Sequence, residues 1–248
     1  MTDQTQSGDT IVALSPHAGL QPLSHDPGEL PIGEPVKEKQ FKIRLANTEG
    51  RRSRASYLIR NRFAWRGYTV SNLSGQPANR ITLAAFDNEQ TIATITVGVD
   101  SPAGLAVEAL YPEEVAELRR AGLRLCEFTR LAVEHMVRSK AVLAAIFHIA
   151  YIYAHRISGC TDLLVEVNPR HVRFYRSMLG FEIFGQERID DRVGAPALLL
   201  RLSFAHAEAE IARLGGHAEL AEKSRLLYPL FFSSDEERGI EARLRSMG

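Results

Sequence analysis

The sequence predicts an α/β (α+β) fold in which a mixed, mostly antiparallel central sheet is flanked by helices and followed by a C-terminal helical extension. Three observations carry that prediction. RITLAA (80–85) and TIATITV (91–97) alternate as strands across Asp87 and Asn88, forming an antiparallel hairpin. CEFTRLAV (126–133) and TDLLVEV (161–167) are strand runs separated by a long helical stretch that begins near Ser139, and the second reads as a buried parallel-type strand. Beyond it, VNPRHVRFYRSMLGFEIFG (167–185) runs from a strand end into a short helix and back into a strand.

In chain order, residues 1–38 are rich in Ser, Gly, Pro and polar or acidic residues without periodicity, and read as a mobile N-terminal extension carrying no chemistry. FKIRLA (41–46) is the first strand, Glu49 to Phe63 a helix, and the hairpin follows. Pro112 to Ala121 forms a helix with proline near its first turn, where a missing N–H costs nothing. In the 167–185 unit Pro169 plays the same part. Val172, Phe174, Tyr175, Met178 and Leu179 then recur at helical spacing, Gly180 caps the helix and Phe181 opens the next strand. APALLLRL (195–202) is the last strand, and two or three helices follow from Ala205. The domain organisation is an extension at 1–38, one domain at 39–203 and a helical extension at 204–248.

At 248 residues and 45% hydrophobic content, the chain is long enough for one sizeable core with appendages. Lys+Arg and Asp+Glu balance at 30 each, so no excess positive charge points to nucleic acid. Cys126 and Cys160 lie in or beside core strands, which implies a reduced, cytoplasmic protein rather than a disulfide framework. Cys126 reads as a small core residue rather than a nucleophile. The longest apolar segment, Ala141 to Tyr153, is interrupted by His148 and falls short of the about 20 residues that span a bilayer. No metal site is expected.

Asn168 and Tyr175 sit where a strand end meets a helix N-terminus, a place suited to a ligand. At these residues the chain resembles the GNAT superfamily of N-acyltransferases, over about residues 41–203. The resemblance implies a splayed central sheet. It also implies that Tyr175 protonates the departing thiolate and that Asn168 lies against the pantetheine arm of the donor, the alternatives being a core aromatic and a helix cap. The chain departs from the superfamily at Val137-Arg138-Ser139-Lys140-Ala141-Val142, where most coenzyme A-dependent members carry glycines whose backbone cradles a diphosphate. A donor without the nucleotide end of coenzyme A fits better, and an acyl carrier protein is one. Within the superfamily, Glu127 to Val133 and residues 54–68 are similar to the long-chain N-acyl amino acid synthases and to the homoserine-lactone autoinducer synthases, more closely to the former. The close spacing of Phe63 and Trp65, and a single Asp in residues 82–89, argue against adenosylmethionine.

Amide formation from a thioester requires a neutral amine, a proton acceptor and donors for the oxyanion. In a splayed sheet the backbone N–H groups of Leu131, Ala132 and Val133 supply the last. Glu127 is a candidate proton acceptor, since an acid on a central strand is buried and its pKa rises. Arg130 stands three residues on, so a bulge pairs it with Glu127, while a regular strand sends the two to different sites; a purely structural ion pair is the third alternative. Tyr57, Arg60, Phe63 and Trp65 place a cation among aromatics and are candidates for the acceptor amino acid, or else the packing face of an amphipathic helix. Arg138, Lys140, Arg170, Arg173 and Arg176 lie near the donor entrance and are candidates to bind an acidic carrier protein, or a solvated face. LLYPLFF (226–232) docks the tail on the domain, with a lid over the acyl chain or a dimer contact as alternatives.

The reading is therefore an N-acyl amino acid synthase that moves a long-chain acyl group from acyl carrier protein, or acyl-CoA as co-substrate, to the α-amine of an amino acid, with no tightly bound cofactor. Peripheral membrane contact is compatible with a lipid product. The rivals are an autoinducer synthase, an acetyl-CoA enzyme and a non-catalytic acyl or carrier-protein binding module.

Overall fold

A computed structural model describes residues 9–14, 41–64, 77–134 and 139–247. Trp65 and Arg138 lie outside the described residues, as does most of the 1–38 segment. One sheet runs through the described chain. Its spatial order is β1 (Thr10–Leu14), β2 (Phe41–Leu45), β3 (Arg80–Asp87), β4 (Gln90–Val99), β5 (Leu125–Val133), β6 (Asp162–Val167), β9 (Ala195–Ser203) and β7 (Glu182–Ile183), with β8 (Arg188–Asp190) also paired to β9. The β5–β6 pair is parallel and the others are antiparallel, as the mixed, mostly antiparallel reading requires. The hairpin turns at Asn88 and Glu89, both with positive φ (44° and 68°), the two-residue turn whose twist matches paired strands.

Side-chain alternation gives the sheet two unlike faces. Cys126, Phe128, Leu163 and Val165 join the large core beneath α3 (Lys140–Tyr151), whereas Leu125 and Leu164 join a smaller core with Val115 and Leu118 of α2 (Pro112–Arg120). Ala55, Leu58 and Ile59 of α1 (Glu49–Ala64) pack on Ala46 and Ala132 in a third cluster.

Every residue of α3 from Val142 to Tyr151 is buried. A helix apolar on all sides needs cover on all sides. The sheet covers one side. The other is covered by the tail, where α5 (Phe204–Leu214) and α6 (Ser234–Ser246) bring Phe204, Ile211, Ile240 and Leu244 into the same core as Leu227, Tyr228, Phe231 and Phe232. The 226–232 cluster therefore docks the tail. Tyr228 donates to the Leu179 carbonyl (2.7 Å), and Phe231 and Phe232 stack on His148 at 4.6 and 5.2 Å. The Phe232 N–H donates to His148 Nδ1 (2.9 Å), which leaves the ring proton on Nε2, 3.4 Å from a Glu237 carboxylate oxygen. Arg156 closes the cluster on Glu237 at 2.9 Å.

Some elements depart from the sequence reading. Residues 10–14, placed in a mobile extension, form an edge strand on β2, because Ile11 buries fully and Arg243 of α6 donates to its carbonyl. Strand β8 has no alternating pattern and exists through its pairing with β9. The long helix expected up to residue 156 is α3 followed by a π turn at Ile152–Ile157. The helix expected from Arg170 begins as a 3₁₀ turn at Pro169–His171 and continues as α4 (Val172–Leu179), closed by Gly180 at φ 78°.

The tail clamp predicts acid sensitivity. Burial pushes His148 below its ordinary 6.5, so beneath that pH the unfolded chain takes up a proton that the folded one refuses, and stability falls. Burial opposes the Glu237 carboxylate, but His148 and Arg156 outweigh it and hold it down to about 2 against 4.5, so its contribution is present above pH 4.5 and is lost on acidification towards 2. Thermal melts followed by circular dichroism are expected to drop below pH 6.5 and more steeply below 4.5. Glu237→Gln is expected to be less stable at pH 7 and to lose that steeper segment.

Candidate active site

β5 and β6 pair only through Leu125↔Asp162, Cys126↔Leu163 and Glu127↔Leu164, after which the two strands part. Glu127 marks the vertex of the resulting wedge. It is fully buried, its carboxylate lies 2.6 Å from Arg80 and it accepts the Val107 N–H at 3.0 Å. The neighbour that explains this is Gly98 of β4, which lies in register with Arg80 on one side and Glu127 on the other. A Cβ there would come within 3.1 Å of Glu127 and 3.3 Å of Arg80. The missing side chain lets the acid and the base meet across an intervening strand. The ion pair at Glu127 thus runs to Arg80, a residue that sequence reasoning passed over because nothing in a strand pattern shows which residue faces which two strands away.

Beyond the vertex β5 bulges. Arg130 has φ 53°, the register against β4 shifts between Thr94 and Thr96, and the Thr94 hydroxyl donates to the Arg130 carbonyl (3.0 Å). A left-handed backbone costs a non-glycine residue about 1 kcal/mol, and such strain collects at functional sites. The half-buried Arg130 guanidinium is pushed below its ordinary pKa by burial and by Arg80, with Glu127 opposing. The Glu134 N–H donates to Ile92 of β4 (2.8 Å), so alternation turns the N–H of Val133, and beyond it that of Leu131, towards the gap. Ala132 instead faces β4 with its backbone and packs its methyl on α1. Behind the bulge, Thr82 and Thr96 share a buried hydrogen bond of 2.7 Å, a polar strip between the two apolar clusters of that face.

Across the gap, Asn168 spends its side chain on backbone: Oδ1 accepts the Arg170 N–H (3.3 Å) and Nδ2 donates to the Pro196 carbonyl (3.1 Å). It shapes the turn into α4 as a cap. Tyr175 is 8% exposed and packs edge-on against Phe147, Phe174 and Phe181. Burial raises its pKa well above 10, so the phenol stays protonated. Tyr175 belongs to the large core, on the face opposite Glu127.

Other candidates fall further out. Tyr57 is 63% exposed and Arg60 is also exposed, because the buried stripe of α1 is Ala55, Leu58 and Ile59. Phe63 lies in the last turn of α1. Arg170, Arg173 and Arg176 are exposed and none is in an ion pair among the described residues, while Lys140 is half-buried at the start of α3. Sequence reasoning also missed Glu166, Asp190 and Arg192, which form one cluster in which Arg192 reaches Glu166 at 3.0 Å and Asp190 at 2.8 Å. The acid inside TDLLVEV was the available signal, but its partners lie beyond an intervening helix.

The sequence profile of the N-acyl amino acid synthase FeeM family matches residues 54–203, more than half of the chain. No curated protein sequence matches. Among solved structures, FeeM, an N-acyl amino acid synthase from uncultured soil microbes, is 24% identical with a TM-score of 0.63, covering 69% of this chain and 95% of its own. Escherichia coli ElaA is 11% identical (TM-score 0.49; 65% of this chain, 97% of its own), and the AHL synthase LasI is 12% identical (TM-score 0.47; 66% and 90%). The mixed, mostly antiparallel sheet flanked by helices is a GNAT-like fold, and the chain belongs to the N-acyl amino acid synthase FeeM family.

Proposed function

We propose that the protein moves a long-chain fatty acyl group from the phosphopantetheine thioester of an acyl carrier protein to the α-amine of an amino acid. The observation that carries this reading is the wedge itself: an extended pantetheine arm fits between two parted strands, where backbone groups of β5 past its last pairing with β6 receive it in place of β6. The thioester carbonyl then lies against the N–H groups of Leu131 and Val133, which are fixed by the bulge before the reaction and stabilise the oxyanion at no cost in reorganisation. As the carbon–sulfur bond breaks, Tyr175 gives its proton to the thiolate, its burial having kept that proton in place.

Arg130 supplies positive charge at the bulge for the carboxylate of the incoming amino acid, beside the Thr82–Thr96 strip. Glu127 acts here as a positioning group, since its ion pair with Arg80 and its bond to Val107 leave it enclosed. The start of α3 reads Ser139-Lys140-Ala141-Val142 and lacks the glycines that a diphosphate would need, which supports the carrier-protein donor. The exposed arginines of α4 and the turn before it present a basic face suited to an acidic carrier.

Incubation with long-chain acyl carrier protein and mixed amino acids, followed by mass spectrometry, is expected to yield an N-acyl amino acid. A lactone from adenosylmethionine, or only acetylated product from acetyl-CoA, overturns the reading. Tyr175→Phe is expected to lower kcat roughly 100-fold with little change in KM or melting temperature, as loss of a general acid does. Reversal of Arg170, Arg173 and Arg176 to Glu is expected to raise KM for the acylated carrier at low salt, by a factor that shrinks as ionic strength rises.

A further inference from the structure

An attacking amine arrives as an ammonium ion, and Glu127 is too enclosed to take its proton. A different carboxylate stands in the mouth of the wedge. Leu164 faces the α2 side of the sheet opposite Glu127 in the last paired position, and alternation puts Glu166 on that same side. Two residues at about 3.3 Å each carry Glu166 roughly 7 Å past the vertex. It therefore lies on the face opposite the core that holds Tyr175, so the two sit on opposite sides of a thioester threaded through the gap.

The surroundings of Glu166 are built rather than incidental. Its side chain is 18% exposed and both its oxygens accept from one Arg192 nitrogen, at 3.0 and 3.2 Å. The same guanidinium holds Asp190 through Nε (2.8 Å) and a terminal nitrogen (2.9 Å), and Asp190 also accepts the Arg192 N–H (3.0 Å). Two carboxylates thus share one cation, an arrangement that favours a single proton between them. Just ahead of α2, Tyr111 lies within reach of the Glu166 charge, with Arg188 over its ring at 4.7 Å and Glu114 ion-paired to Arg188 at 2.6 Å. Burial first, then Asp190, lifts Glu166 to about 7 against the pull of Arg192. Asp190 is instead held low: burial opposes it, but hydrogen bonds from Arg192 prevail.

We propose that Glu166, poised by Asp190 and Arg192, is the base that accepts the proton of the acceptor ammonium ion. The assignment rests on the N-acyl transfer reading. The ammonium gives one proton to the Glu166 carboxylate, and the neutral nitrogen forms its bond to the thioester carbon. The carbon–sulfur bond breaks as Tyr175 protonates sulfur. The second nitrogen proton restores the Tyr175 phenol, and Glu166 passes the first to water at the half-exposed Arg192 edge, so that amide, thiol and one proton leave.

The test is the pH profile of amide synthesis. Wild-type kcat/KM is expected to rise through a limb centred near pH 7, as the base loses its proton, ahead of the limb set by the free amine. Glu166→Gln is expected to abolish that lower limb and to reduce kcat/KM about 100-fold at pH 7, while Glu166→Asp recovers part of the loss. Asp190→Asn is expected to move the limb to lower pH, because Asp190 is what helps hold the Glu166 proton; this shift also serves as the readout should Glu166→Gln fail to fold. A merely structural cluster would lower the melting temperature and leave the limb in place in all variants, which overturns the inference while wild-type amide synthesis still upholds the reaction. Wild-type protein that forms no amide overturns the reaction and the base together.

Discussion

The Arg80–Glu127 ion pair, bridged over Gly98, is the constraint on which the site depends. It holds three adjacent strands in register at the vertex and, through the Val107 N–H, fastens the turn that leads into α2. A buried charge left without its partner costs several kcal/mol, so the register on this side of the sheet is strongly specified. With the vertex fixed, β5 departs from β6 at a defined residue, and the bulge at Arg130 falls where the backbone is released from its neighbour on one side only.

That parting leaves a sheet whose two faces are covered by unrelated means. On one face lies α3, apolar on every side, which becomes stable only because the tail wraps its outer surface with aromatic residues and seals one buried imidazole in a hydrogen-bonded cluster. On the other face lie two small apolar clusters with threonines, Arg130 and Glu166 between and beside them. The rigid, thoroughly packed face carries the tyrosine. The thinner face is the more polar one, and it is there that the proposed reaction brings in its charged amino acid.

The separation also sets the electrostatics. Tyr175 is surrounded by Phe147, Phe174 and Phe181 and keeps its proton because burial among them disfavours a phenolate. Glu166 and Asp190 are instead tied to an arginine that reaches solvent. An acid in a dry aromatic box and a carboxylate pair beside a half-exposed cation are different answers to burial, and the sheet keeps them apart.

Much of this was written in local sequence. The strand, helix, strand run through Asn168, Tyr175 and Gly180 was legible because proline, helical periodicity and a left-handed glycine act within a few residues of themselves. So was the hairpin at Asn88, and so was the missing glycine-rich turn before α3. The burial of α3 followed from its composition, although what buries it did not. Tertiary structure alone decided that Glu127 answers to Arg80, that Tyr57 and Arg60 point to solvent, that residues 10–14 add a strand, and that Glu166 meets Asp190 and Arg192. Those facts depend on pairing between segments far apart in the chain. A strand carries a period of two along its own length and no mark of which strand lies beside it, so the partners across a sheet are fixed only when its register is.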